Sequence, residues 1–194
     1  MSENATGFAR DIDAAVLVRA QHGDMQAFAE LYRVYGRACW QLALRLLGER
    51  QAAEDLVQEA FLKMMGTIRS YRGDAPFGAW LKRLTANACI DQLRRQRHVA
   101  VVDAEAMFAQ TATTQAVPHE ILDAAVLLAH LPARARAIVV LHELEGYTHA
   151  ELAAWFGQSE SYSKSILSRA LARLHDIVDN AEPSSPQVTA CPSR

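Results

Sequence analysis

Four polar side chains raise the first chemical question. Arg83, Asn87, Asp91 and Arg94 follow one another at spacings of four, four and three, which puts them on one face if the segment is helical. Two guanidinium groups on such a face can hold phosphates, and an amide between them can read a base edge. They lie in a basic stretch: from Lys63 to His98 only Asp74 and Asp91 oppose eight Lys and Arg residues. From Val99 to His130 the sign reverses, with Asp103, Glu105, Glu120 and Asp123 and no Lys or Arg. The net charge of the whole chain is only -2, so any attraction for nucleic acid is local.

A second constellation is acidic. Glu54, Asp55, Gln58 and Glu59 fall opposite the apolar positions of their segment. Exposed carboxylates in this arrangement can complement Arg or Lys on a partner protein. The plainer alternative is a solvated helix face, since exposed charge runs are common and stabilise little.

The third constellation runs from Thr148 to Ser161. Thr148 and Glu151 have the spacing of a capping box, Gly157 suits a left-handed turn, and Ser159 can cap a second helix. This is the layout of a helix-turn-helix. Its second helix would bury Leu167, Ala170, Leu171 and Leu174 and show Ser161, Lys164, Ser165, Ser168 and Arg169. Hydroxyls and cations there suit phosphates and base edges in a major groove. A helical hairpin in an ordinary bundle is the alternative. A zinc site around His142, Glu143, Glu145 and His149 is disfavoured, because Gly146 stands where a second His would be needed one turn after His142.

The elements that must carry these residues are helices. Phe28, Leu31, Tyr32, Tyr35, Cys39, Leu42 and Leu46 recur three and four apart, predicting a helix capped by Asp24 and ended by Gly48. A helix over about 51–68 turns Ala53, Leu56, Val57, Ala60, Phe61, Met64 and Ile68 inward. Residues 71–76 read as a loop, because Gly73 and Pro76 interrupt the pattern. A helix from Phe77 to about Gln96 buries Phe77, Trp80, Leu81, Leu84, Ala88 and Leu93, and a short one near 12–21 precedes them all. Residues 99–117 lack periodicity and read as a linker. Helices resume over about 120–130, 133–145, 148–156 and 159–178, before a Pro- and Ser-rich tail.

Composition agrees with a globular, helical chain. Of 194 residues 51 % are hydrophobic, 22 % charged and 7 % aromatic, with only nine Gly and six Pro, which is poor material for a turn-rich sheet protein. No apolar run approaches the roughly 18 residues a membrane span needs, and no secretion signal is evident. Cys39, Cys89 and Cys191 are odd in number and widely spaced, which argues against a disulfide framework or zinc knuckle and for a reducing, cytoplasmic setting. The expected fold class is all-α: two small helical domains, 1–98 and 118–180, joined by a flexible linker over 99–117. A disordered tail covers 181–194, and the second domain is a helix-turn-helix.

The two halves together carry a resemblance. Leu31-Tyr-Arg-Val-Tyr35, Leu46-Leu-Gly-Glu-Arg-Gln-Ala-Ala-Glu-Asp-Leu-Val-Gln-Glu-Ala-Phe61 and Tyr71-Arg-Gly-Asp-Ala-Pro-Phe-Gly-Ala-Trp-Leu81 resemble the second domain of bacterial sigma factors, in particular the extracytoplasmic-function (ECF) group. Leu131-Pro-Ala-Arg-Ala-Arg-Ala137, Glu145-Gly-Tyr-Thr148, Glu151-Leu-Ala153, Lys164-Ser165, Arg169-Ala170 and Arg173-Leu174 resemble that group's fourth domain. The likeness spans about residues 10 to 178, with both blocks in order.

The resemblance implies a non-enzymatic factor that binds core RNA polymerase and directs promoter-specific initiation, with an anti-sigma protein as a further partner and no membrane insertion. Glu54, Asp55, Gln58 and Glu59 would dock on the polymerase clamp. The loop and helix carrying Tyr71, Arg72, Gly73, Asp74, Phe77, Arg83, Asn87, Asp91 and Arg94 would open and hold the -10 element. Ser161, Tyr162, Lys164, Ser165, Ile166 and Arg169 would meet the -35 element. No cofactor or metal is implied. The recognition helix departs from the group's pattern, with Ile166 in place of Arg after Lys-Ser, Ser163 before the Lys, and the bulky Tyr162. Ile166 either packs against a thymine methyl or turns inward and leaves Tyr162 to read. A helix-turn-helix regulator acting without polymerase is the alternative function.

Overall fold

A computed structural model describes residues 7–97 and 124–181. Every regular element among them is helical. A 3-10 turn (Gly7–Ala9) leads into α1 (Ala14–Gln21), α2 (Met25–Leu47) and α3 (Arg50–Thr67), and a second such turn (Ile68–Ser70) precedes α4 (Phe77–Arg97). The second segment comprises α5 (Ala124–Ala129), α6 (Ala133–Val139), a π turn (Val140–Leu144), α7 (His149–Phe156) and α8 (Glu160–Ala181). The expected linker (99–117) and residues 182–194 of the expected tail lie outside the described residues.

Helix ends fall where local chemistry supplies partners. The Asp24 carboxylate accepts from the Gln26 amide at 2.8 Å and caps α2, while Asp13 does the same for α1. Both relieve amides that a helix start leaves unpaired. At its far end α2 stops at Gly48, whose φ of 75° is the left-handed region that glycine enters at little cost.

Helices α2, α3 and α4 pack against one another, and α1 and the first 3-10 turn close the open side. Their core holds Leu31, Tyr35, Leu42, Leu46, Leu56, Met64, Ile68, Leu81 and Ile90. The expected inward stripes agree except at Tyr32, which is 53 % exposed. Its neighbours fill the interior and its ring lies edge-on against Phe61 at 4.9 Å. Cys39 and Cys89 are both free and buried, with the Thr85 hydroxyl 3.4 Å from the Cys39 sulfur. Burial pushes the Cys39 thiol up to about 11 and raises Cys89 further. Gly78 is needed for packing, because a Cβ there would collide with the Phe8 carbonyl.

In the second segment α6, α7 and α8 enclose Leu131, Ala135, Ile138, Leu141, Leu152, Phe156, Ile166 and Ala170. The two helical bodies touch, and their buried apolar residues form one continuous cluster. Between them α6 lies against α2 and α4, and α7 lies against α4. The Arg136 guanidinium donates to the carbonyls of Leu46, at 3.2 Å, and of Leu47. It thereby satisfies the end of α2 from the other body. Glu145, delivered by the π turn, meets Arg45 at 2.8 Å and Lys82 at 3.3 Å. The Lys82 ammonium also sits over the Tyr147 ring, and the Arg83 guanidinium over the Trp155 ring.

Candidate nucleic-acid and protein interfaces

The acidic set on α3 is surface. Asp55, Gln58 and Glu59 are exposed and Glu54 is half-buried. Arg50 donates to Glu54 at 3.0 Å one turn along, Gln51 donates to Asp55 at 3.0 Å, and Arg95 lies 3.7 Å from Glu59. Exposed pairs of this kind are worth about 0–1 kcal/mol, so a partner can displace them. Two apolar side chains on the same side escape the sequence argument. Leu62 is 69 % exposed and follows Gln58 and Glu59 by one turn, and Tyr32 borders the groove between α2 and α3. That groove, of about 560 Å³, is lined by Gly36, Arg37, Trp40, Arg50, Glu54 and Gln58 among others. Apolar anchors within a charged rim are the usual make-up of a protein-docking patch.

The loop 71–76 is held from within. The Tyr71 hydroxyl donates to the Ala75 carbonyl at 2.6 Å, and its ring packs edge-on against Phe77 and near Trp80. Gln21 of α1 donates to the carbonyls of Ile68 and Tyr71, fixing the loop's entry. Arg72, Gly73 and Asp74 are exposed at the tip, with Gly73 at a φ of 81°. Phe77 is only 4 % exposed and contacts Tyr35, Tyr71 and Trp80. Phe77, expected among the -10 contacts, has its ring in the aromatic cluster under the loop. Trp80, half-buried, belongs to the same cluster.

On α4, Arg83, Asp91 and Arg94 are exposed and Asn87 is half-buried. Asp91 and Arg94 approach to 3.9 Å, a loose pair that water or phosphate can separate. Arg83 is engaged by Trp155, 5.8 Å from the ring centre.

The helix-turn-helix has its expected caps. The Thr148 amide donates to Glu151 Oε2 at 2.9 Å and the Glu151 amide donates to Thr148 Oγ1 at 3.2 Å. These bonds from Thr148 hold the Glu151 carboxyl below its ordinary range. Gly157 turns the chain at a φ of 61°, and the Tyr162 amide donates to Ser159 Oγ at 3.1 Å. Arg134 pins the turn from α6, donating to the Phe156 carbonyl at 3.1 Å and lying over the rings of Phe156 and Tyr162.

Helix α8 shows the outward face expected of it, and its inward stripe departs from expectation at Leu171. Its buried stripe is Ser163, Ile166, Leu167, Ala170 and Ile177, while Leu171 is 42 % exposed. Ile166 has no exposed surface and cannot touch a thymine methyl, so the inward alternative holds. Tyr162 is half-buried beneath Arg134, which limits its share in reading. The face left for a major groove is Ser161, Lys164, Ser165, Ser168 and Arg169, all exposed. Lys164 pairs with exposed Glu160, at 3.7 Å.

Beneath that face lies a polar contact with no counterpart in the sequence argument. His149 Nδ1 is 3.0 Å from Ser163 Oγ, and the His149 ring stacks on His142 at 4.2 Å. His142 Nδ1 faces the Tyr147 carbonyl at 2.7 Å. A carbonyl only accepts, so that nitrogen carries the proton. Desolvation, then the neighbouring His142 and Lys164, lower the His149 pKa from its ordinary value.

Comparisons with known proteins agree with this layout. Residues 31–99 match the family model of Sigma-70 region 2, and residues 122–174 match that of Sigma-70, region 4. The ECF RNA polymerase sigma factor SigM of Mycobacterium tuberculosis is 34 % identical over 162 residues, covering 84 % of this chain and 82 % of its own. SigW of Bacillus subtilis is 28 % identical over 148 residues, covering 69 % of this chain and 79 % of its own. Among solved structures, CnrH in complex with the cytosolic domain of CnrY superposes with a TM-score of 0.51 at 25 % identity, covering 87 % of this chain and 97 % of that one. RpoE of Bartonella quintana, in complex with the anti-sigma factor NepR, has the same fold, with a TM-score of 0.52 at 22 % identity over 80 % of this chain and 98 % of that one.

Proposed function

The chain belongs to the sigma-70 family, in its ECF group, and from that premise we propose which surface does which part of promoter-specific initiation. The face of α3 bearing Glu54, Asp55, Gln58 and Glu59 takes the basic partner surface on core RNA polymerase, with Leu62 and Tyr32 as apolar anchors. Tyr71, Arg72, Gly73 and Asp74 of the loop, with Arg83, Asn87, Asp91 and Arg94 of α4, take the -10 element as it melts. Extruding a base costs a few kcal/mol, offset by cationic contacts to the single strand and by stacking. Ser161, Lys164, Ser165 and Arg169 take the -35 duplex. The functional units are residues 1–98 and 118–180.

The observation that carries this reading is the pairing, in one chain, of an exposed acidic helix face with a capped helix-turn-helix whose outer face is hydroxyls and cations. Phosphodiester chemistry is left to the polymerase, so the chain itself acts without a catalytic group, in the cytoplasm where polymerase and DNA are. RpoE is found with the anti-sigma factor NepR and CnrH with the cytosolic domain of CnrY, and this chain takes an anti-sigma partner too. Run-off transcription by core polymerase with and without the protein, on promoter and scrambled templates, tests the assignment. Start-site-specific product only with protein and promoter is expected. Duplex binding without any effect on polymerase would favour a stand-alone regulator.

A further inference from the structure

Apart from Arg83, the polar contacts between the two bodies are made by side chains that none of the promoter or polymerase roles uses. Arg136 enters the C-terminal end of α2 and donates to the Leu46 and Leu47 carbonyls, while Gly48 leaves room for it. A Cβ on Gly48 would lie about 2.5 Å from the Arg136 guanidinium carbon. Glu145, only 10 % exposed, is shared by Arg45 and Lys82. Around these contacts α7 lies along α4, with Trp155 against Arg83. Against them stands one cost: Arg45 Nε is enclosed and finds no acceptor, a penalty that opening to water would relieve.

We propose that Arg136 and Glu145 form a latch that keeps the free chain closed, and that the latch must release before both promoter elements can be held. The masking half of this inference rests on the assignment of Arg83 to -10 DNA. Two lengths carry the release. Elements near -10 and -35 lie about 25 base pairs apart, about 85 Å at 3.4 Å per pair. A compact chain of 194 residues has a radius of gyration of about 16 Å, so two touching bodies cannot reach both. The 26 residues between Arg97 and Ala124 can extend to about 90 Å, which suffices once the latch opens.

The test uses the full chain with Cys191 changed to Ser and dyes at Val18→Cys and Leu171→Cys, both exposed sites, one on each body. Glu145→Lys places like charges against Arg45 and Lys82, and energy transfer should fall with an open fraction raised at least about tenfold. Adding Arg45→Glu and Lys82→Glu restores opposite charges and should restore transfer. Arg136→Gln should also open the chain. It should bind a single-stranded -10 oligonucleotide more tightly despite losing a cation, the opposite of what charge alone predicts. Unchanged transfer in both Glu145→Lys and Arg136→Gln, with helicity intact by circular dichroism, overturns the latch. Opening without tighter oligonucleotide binding overturns the masking. If transfer responds as expected while no variant or parent supports run-off transcription, the latch stands and the sigma assignment falls.

Discussion

His149 Nδ1 lies 3.0 Å from the Ser163 hydroxyl, joining the first residue of α7 to the buried face of the recognition helix. The contact fixes the angle between the two helices at a point no DNA contact reaches. It also explains how a serine is accommodated 2 % exposed on an otherwise apolar stripe.

The surroundings of His149 predict a pH dependence. The His149 pKa is lowered in the folded chain, first by desolvation and then by His142 and Lys164, so the unfolded state takes up the proton first. Stability is then full above the ordinary histidine value and is lost as pH falls through it toward the folded value. Thermal melts at pH 7.5 and 5.5 should differ more for the parent than for His149→Gln. Equal differences would remove His149 as the source.

Ile166→Arg should destabilise rather than re-specify. Inserting a guanidinium where no surface is exposed costs about 3 kcal/mol or more, read as a lowered denaturation midpoint. Ser165→Arg, on the exposed face, should leave stability within about 0.5 kcal/mol and shift base preference in a randomised -35 library. A library shift from Ile166→Arg with unchanged stability would contradict the buried placement.

Reversing Glu54 and Asp55 together to Lys should weaken core polymerase binding about tenfold at moderate salt, with helicity unchanged. Leu62→Ala should weaken the same binding through lost apolar contact, and with no added salt dependence. Titration of labelled core polymerase distinguishes the two.

Arg169→Ala should lower -35 duplex affinity evenly across sequences and reduce the slope of log K against log salt by about 0.9. A sequence-dependent loss would instead make Arg169 a base reader.

Gly48→Ala should cost about 1 kcal/mol for the left-handed backbone alone. That is about 2–4 °C in Tm for a chain of this size. Displacement of Arg136 should add to it, so the loss should shrink in an Arg136→Gln background.

Much of the framework could be read from residue order because caps and turns are local. Asp24, Gly48, the Thr148–Glu151 box, Gly157 and Ser159 each act within a few residues of themselves, and each appears where spacing put it. The inward stripe of α8 is less legible at its edges, where Ile166 is buried and Leu171 is not. Ile166, Leu167, Leu171 and Leu174 support two apolar stripes one residue apart, and only the packing of α6 and α7 selects between them. Tyr32 fits the period of α2 yet stays outside, because Phe61 already occupies the place beside it. Phe77 packs with its sequence neighbours Tyr71 and Trp80, and Tyr35 of α2 closes the cluster from a distance that spacing does not reveal. The contacts of Arg136 and Glu145 join residues about 90 and 100 positions apart, a separation at which spacing carries no signal.

The π turn has a consequence for length change in this chain. Its Glu145 amide reaches back to the Val140 carbonyl at 3.1 Å, one residue further than an α-helix would. Deleting one residue from 140–144 would let α6 run on in regular α-helical register, which the local backbone favours. Each residue of an α-helix turns the chain by about 100°, so the same deletion would swing Glu145 off Arg45 and Lys82. The extra residue held in the wide turn is thus what aims Glu145 at the other half of the molecule.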